Sequence, residues 1–238
     1  RYLIMMKTKR NAPISTEDIL HKLCNSVTGV LTEATHHEIN YSPMVQRIGK
    51  TCLRPDIGCF VLFDGAFSGL VVINFTAAAA LEVYQNYLMN MGIPREELAT
   101  VHTSDEVGNV MGELMNQIVG DFTGKVSQEL HSSINQSQPK MLTLNKQVRI
   151  SVDTNLDRPQ ARRVSFYTEK NNIFYMELAM DKTEFIQLHD FERNEEMDTD
   201  RLIDNIDKGI AIGNNGSSNG DTKSNNDAQD DLLASLGL

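Results

Sequence analysis

The chain reads as a mixed α/β (α+β) domain rather than a helical bundle, and three observations carry that reading. Apolar stripes at helical spacing alternate with short β-rich runs along residues 1–189. Two such runs, CFVLFD (59–64) and GLVVINF (69–75), are joined by the Gly-flanked GAFSG, which predicts a hairpin. Farther on, VRISVD and RRVSFYT alternate apolar with polar residues, the pattern of a sheet with one wet face.

In chain order, Pro13, Ser15 and Asp18 mark a helix start. Ile19, Leu20, Leu23, Val27, Val30 and Leu31 then recur at helical spacing. A strand-like stretch covers roughly Glu38 to Ile48, before the hairpin. The hairpin runs are apolar on both faces, so helices are expected on one side of the sheet and further structure on the other. Ala77 to Met91 is a second predicted helix and Ser104 to about Leu130 a third; strands are predicted near 146–153, 161–168 and 172–181.

From Asp190 the character changes. FERNEEMDTDRLIDNIDKGIAI is acidic, with Leu202, Ile203 and Ile206 on one face of a possible short helix. Residues 213–228 contain no large apolar side chain and read as a flexible linker spanning roughly 20–24 Å. QDDLLASLGL (229–238) is apolar again. The expected organisation is therefore a domain over 1–189, an acidic segment over 190–212, a linker over 213–228 and a terminal peptide over 229–238.

Composition removes several function classes. With 238 residues, 40% of them hydrophobic, there is material for a real core. No apolar run approaches a membrane span, and RYLIMMKTKR lacks the features of a signal peptide. The first residue is not Met, which points to residues upstream. Net charge is −10, but from Asp190 onward there are 12 acids and 4 bases, so the body is near neutral. With no basic stripe, nucleic acid is not the expected partner. Cys24, Cys52 and Cys59 are odd in number and lack CxxC spacing, which fits thiols in a reducing cytoplasm better than disulfides or zinc. His36-His37 has no third ligand nearby and no Gly-rich phosphate loop follows a strand, so neither a metal nor a cofactor of its own is expected.

The most informative stretch is DEVGNVMGELMNQIVGDF, 105–122. At about 100° per residue, Val107, Val110, Met111, Leu114, Met115, Ile118, Val119 and Phe122 gather on one side. Asn109, Glu113 and Asn116 fall on the other, with Gly120 beside them. Glycine costs roughly 0.5–1 kcal/mol relative to Ala inside a helix, so Gly108, Gly112 and Gly120 suggest close approach of another backbone. A solvated face above tight sheet packing is the alternative reading.

This segment resembles the signature of the CheC/CheX/FliY family of bacterial chemotaxis phosphatases: Asp or Ser, three residues, Glu, two residues, Asn, then 22 residues to a Pro. Here Glu113 and Asn116 fit, and 22 residues separate Asn116 from Pro139; Asn109 stands where the family has Asp or Ser. The order of hairpin, helix and motif helix is also similar to CheX over residues 12–185. The resemblance implies a mostly antiparallel sheet with long helices on one face, and a homodimer by analogy. It also implies a partner, a phosphorylated CheY-like response regulator that brings its own Mg²⁺ and lysine. By the same resemblance, Asn116 orients the attacking water and Glu113 pairs with the regulator's lysine. Phosphoryl transfer is mostly positioning and electrostatics, and a neutral amide can both donate to and accept from a water. A second frame, Asp18, Lys22 and Asn25, carries a lysine in the glutamate position, and no catalysis is expected there.

The terminal peptide resembles the regulator-binding end of CheZ. Asp230 and Asp231 would sit at a helix N-terminus, and Leu232, Leu233 and Leu236 would lie in a partner's groove. Tethered by the linker, it would raise the regulator's local concentration near the helix. Two other readings stay open: a non-catalytic interaction module of the same fold, as in flagellar switch proteins, and a dimerisation domain built on the glycine-bearing helix.

Overall fold

The computed structural model describes residues 13–186; the acidic segment, the linker and the terminal peptide lie outside the described residues. Its elements begin with β1 (Ile14–Ser15), α1 (Thr16–Thr35), β2 (Asn40–Tyr41), β3 (Gln46–Ile48) and β4 (Thr51–Leu53). The hairpin strands β5 (Ile57–Gly65) and β6 (Gly69–Phe75) follow, then α2 (Ala77–Asn90), a 3-10 turn (Arg95–Glu97) and α3 (Asp105–Leu130). The chain continues as β7 (Ile134–Gln136), β8 (Lys140–Thr143), β9 (Ile150–Val152), β10 (Pro159–Tyr167), β11 (Ile173–Asp181) and β12 (Glu184–Phe185).

The main sheet has the order β2-β10-β11-β6-β5-β7, with β3 also on β10 and β8 also on β5; β4 pairs with β9 and β1 with β12. Every pairing is antiparallel. The α+β expectation and the antiparallel sheet with helices on one face are what the chain adopts. No helix among the described residues is long and apolar enough to cross a membrane.

The hairpin forms where expected. Gly65 has φ 145°, and a Cβ there would stand 2.3 Å from the Ser133 carbonyl oxygen. Only glycine lets β7 pair so closely against the end of β5. All seven residues of β6 are buried because both sheet faces are covered. On one face Val71 and Ile73 join the main core with Ile19, Leu23 and Val27 of α1, Val83 and Tyr84 of α2, and Met111, Leu114, Ile118 and Phe122 of α3. On the other, Leu70 and Val72 pack with Leu53, Leu144, Ala161 and Ala179.

Two buried polar residues explain how the second face is closed. Asn74 accepts from the Arg54 backbone N–H (2.7 Å) and donates from Nδ2 to the Cys52 carbonyl (2.9 Å). Glu177, fully buried, accepts from the Cys52 N–H at 2.8 Å. These bonds lash β4 across the sheet, where it carries β9 with it.

The details of three expectations change. The strand expected over 38–48 is split into β2 and β3, which contact different parts of β10. The strand expected near 146–153 shortens to β9 and pairs with β4 instead of extending the main sheet. The expected wet face of β10 is partly covered: Ala161 is buried and Arg163 half-buried beneath β3 and β4. Cys24 and Cys59 are buried and Cys52 is half-buried, all as free thiols. Burial pushes the Cys24 thiol up to about 12, and that of Cys59 higher still.

Candidate functional site

α3 is held at both ends and along its buried face. Ser104 caps it, its hydroxyl accepting from the Val107 N–H. Asp105 and Glu106 occupy the first turn, where the helix dipole favours acids. Glu106 also accepts from the Tyr84 hydroxyl at 2.5 Å, and that hydroxyl accepts from the Ala99 N–H at 3.1 Å. The bonds tie α2, the connecting loop and the start of α3 into one unit. His131 ends the helix in a left-handed conformation at φ 48°. Val107, Met111, Leu114, Met115, Ile118, Val119, Phe122 and Val126 are buried, so the register of the opposite face is fixed.

That opposite face carries Asn109, Glu113 and Asn116, all exposed. Glu113 Oε1 accepts from Gln117 Nε2 at 3.0 Å, one turn along the helix. Asn116 Oδ1 accepts from Gln136 Nε2 at 2.9 Å, and Gln136 Oε1 in turn accepts from the Thr123 hydroxyl at 3.3 Å. Gln136 lies in β7, so a sheet-edge strand reaches up to hold the amide of Asn116. The contact engages Oδ1 and leaves the Nδ2 donor and a second lone pair for a water.

Of the helix glycines, only Gly112 lies near another element. A Cβ there would stand 3.4 Å from Met141 Cγ of β8, an ordinary contact. At Gly108, Gly120 and Gly124 nothing lies within 4 Å of a built Cβ. No described backbone packs closely against this face, so among the described residues nothing makes the close approach that would account for these glycines. Pro139, half-buried, sits in the connection between β7 and β8, the two strands that run beside α3.

The second frame on α1 is engaged elsewhere. Asp18 Oδ2 accepts from the Ser15 backbone N–H (2.8 Å) and hydroxyl (2.7 Å), completing a capping box. Those bonds, the backbone one first, hold its carboxyl below the usual value of 3.8. Lys22 is ion-paired with Glu129 of α3. His37 meets Glu169 across 3.5 Å, and no group of three or more His, Cys, Asp or Glu able to hold a metal occurs among the described residues. Asp230, Asp231, Leu232, Leu233 and Leu236 lie outside the described residues.

Sequence reasoning missed Gln136, Gln117 and Thr123. Gln117 carries an i, i+4 signal from Glu113. Gln136 carries none, because it sits in a three-residue strand, 20 residues beyond Asn116 and off the helix.

The fold is shared with chemotaxis proteins of the CheX, CheC-like and FliY type. CheX from Desulfovibrio desulfuricans superposes with a TM-score of 0.57 at 17% identity, covering 69% of this chain and 99% of that one. A CheX from Borrelia burgdorferi, solved as a CheX–CheY–BeF3–Mg complex, gives 0.51 at 15% identity over 69% and 99%. FliY from Thermotoga maritima gives 0.50 at 19% identity over 70% and 87%. No curated protein matches the chain in sequence. A family model described as "Protein of unknown function (DUF3334)" matches residues 10–238, and on that match the chain belongs to the DUF3334 family.

Proposed function

We propose that the chain acts on a CheY-like response regulator and hydrolyses its aspartyl phosphate. The observation that carries this reading is the exposed pair Glu113 and Asn116 on α3, with Asn116 oriented by Gln136. In the proposal α3 enters the regulator's active site. Glu113, held by Gln117, pairs with the regulator's lysine and sets the insertion angle. Asn116 donates to or accepts from a water placed in line with the P–O bond, while Mg²⁺ on the regulator neutralises charge developing on the phosphoryl oxygens. No general base with a shifted pKa is required, because the amide only positions the water.

The fold supports a regulator as partner, since a CheX of the same fold is known in complex with CheY. The open surface around Gly108, Gly120 and Gly124 leaves room for a visiting backbone. The terminal peptide 229–238 is proposed to tether the regulator. A second reading, a binding module without catalysis, is favoured by Asn109 in place of the motif's Asp or Ser. The test is phosphate release from several phosphorylated receiver domains, wild type beside Asn116→Ala. Faster release that disappears in Asn116→Ala is expected. Binding without acceleration, unchanged in Asn116→Ala, would favour the second reading.

A further inference from the structure

The sheet face opposite the helices holds a second concentration of polar chemistry, on the far side of the sheet from Glu113 and Asn116. On β10 and β11, Arg163 stands opposite Glu177 and Ser165 opposite Tyr175; β3 brings Gln46 opposite Arg163. Arg54, just past β4, completes the group. Together with Met44, Arg54, Arg163, Gln46, Ser165 and Tyr175 line a cavity of about 290 Å³.

The charges do not balance. Glu177 Oε1 accepts from Arg163 Nε (2.8 Å) and Nη2 (2.7 Å), and Oε2 accepts from the Cys52 N–H. Arg163 Nη1 donates to Gln46 Oε1 at 3.2 Å. Arg54 Nε stands 3.7 Å from Glu177 Oε1, beyond hydrogen-bonding distance. It is buried and has no hydrogen-bond partner among the described residues. A single carboxylate, already bound by one guanidinium and a backbone amide, is thus shared between two cations. Arg149 adds a third positive charge acting on Arg54. Burial, then the charge of Arg163, lowers the Arg54 pKa, and Glu177 only partly opposes them.

An enclosed N–H lacking an acceptor, as at Arg54 Nε, is costly, while the guanidinium as a whole belongs to a half-buried side chain that lines the cavity. The planar fork of a guanidinium matches phosphate and carboxylate oxygens in a way a lysine does not. Ser165 and Tyr175, both hydroxyl-bearing, line the same cavity, and hydroxyls are among the few polar groups that orient a ligand in a pocket. We propose that this cavity binds a small oxyanion, a phosphate or carboxylate group, with Arg54 as the principal donor and Arg163, Ser165 and Tyr175 beside it. The site is independent of the α3 face, so it stands or falls apart from the phosphatase reading.

The test is calorimetric titration of the full chain with inorganic phosphate, and separately with succinate, against chloride at matched ionic strength. Saturable one-site binding of either oxyanion is expected, weakened about tenfold or more by Arg54→Gln through loss of charge-assisted hydrogen bonding. Among the described residues Arg54 makes no side-chain hydrogen bond, so this variant should keep the fold, with circular dichroism as the check. If it does not, Tyr175→Phe decides, with severalfold weakening expected. Arg163 is avoided because its removal would strip Glu177 of its main partner. Phosphate binding alone assigns a phosphate ligand and succinate binding alone a carboxylate ligand. The proposal is overturned if neither anion binds saturably, or if binding survives unchanged in Arg54→Gln or, where that variant is unfolded, in Tyr175→Phe.

Discussion

Replacing Gln136 with Ala separates the positioning of Asn116 from its presence. In the wild type Gln136 Nε2 donates to Asn116 Oδ1 at 2.9 Å and its own Oε1 accepts from Thr123. Asn116 is exposed, and among the described residues its side chain makes no other hydrogen bond. Freed, its χ1 would distribute over about two staggered wells, the third being blocked by the preceding turn of the helix. If one of them is productive, the competent fraction falls about twofold, or about 0.4 kcal/mol at the RT of room temperature. A net hydrogen bond contributes about 0.5–1.5 kcal/mol, so the whole effect on kcat should lie between about twofold and tenfold. Glu113 is untouched, so KM for the phosphorylated regulator should stay within about twofold. The assay is steady-state dephosphorylation of a receiver domain, with Thr123→Val as a milder companion that loosens the far end of Gln136. Since Asn116 remains in place, loss comparable to that of Asn116→Ala would mean that Gln136 does more than position. An unchanged kcat in a variant of unaltered stability would refute the idea that Gln136 orients the amide.

Three further outcomes follow from the same structure. Asn74→Ala removes two buried hydrogen bonds to β4 and should cost about 2–4 kcal/mol by denaturant midpoint, weakening phosphate binding through Arg54 as β4 loosens. Gly120→Ala and Gly124→Ala put a Cβ where nothing lies within 4 Å. Each should stabilise the free protein by about 0.5–1 kcal/mol, read as a Tm rise of roughly 1–4 °C; regulator binding weakened by the same changes would locate the partner's backbone there. Asp18→Asn removes a carboxylate whose pKa the fold depresses below 3.8. The wild-type advantage should therefore be full above pH 3.8 and vanish as pH falls through the lower folded value, and acid unfolding curves of the two proteins that stay parallel across the interval from 3.8 down through that value would contradict the capping role.

Much of the fold was legible because its information is local. The first helix announced itself through Ser15 and Asp18, which form the capping box seen in the structure. The hairpin was legible from a Gly-bounded loop between two apolar runs, and β6 kept its expected bounds, Gly69–Phe75. The burial of β6 on both faces followed from its lack of alternation. What could not be read was the covering of the second face. β4, β7 and β8 have three or four residues each, too few to establish a period. They exist because tertiary partners hold them: Asn74 and Glu177 for β4, and the edge of β5 for β7 and β8.

The candidate site divides along the same line. Glu113 and Asn116 were visible because a helix converts sequence spacing directly into a shared face. The 22-residue interval to Pro139 was visible as a number without a physical meaning, and the topology supplies one. After His131 turns the chain, β7 and then β8 pair in succession along β5, and that stretch lies beside α3. Gln136 thereby reaches Asn116, and Met141 comes to lie against Gly112. In this chain the interval spans the rest of α3, the turn and β7, the stretch that brings a sheet edge up beside the exposed turn. It does not choose the residue that reaches across, which is why Gln136 had to be found in three dimensions. An insertion between Leu130 and Ile134 would test this account, since it leaves every motif residue unchanged while sliding Gln136 away from Asn116. It should lower kcat as Gln136→Ala does, whereas wild-type kcat in such a variant would show that the interval has no part in holding the amide.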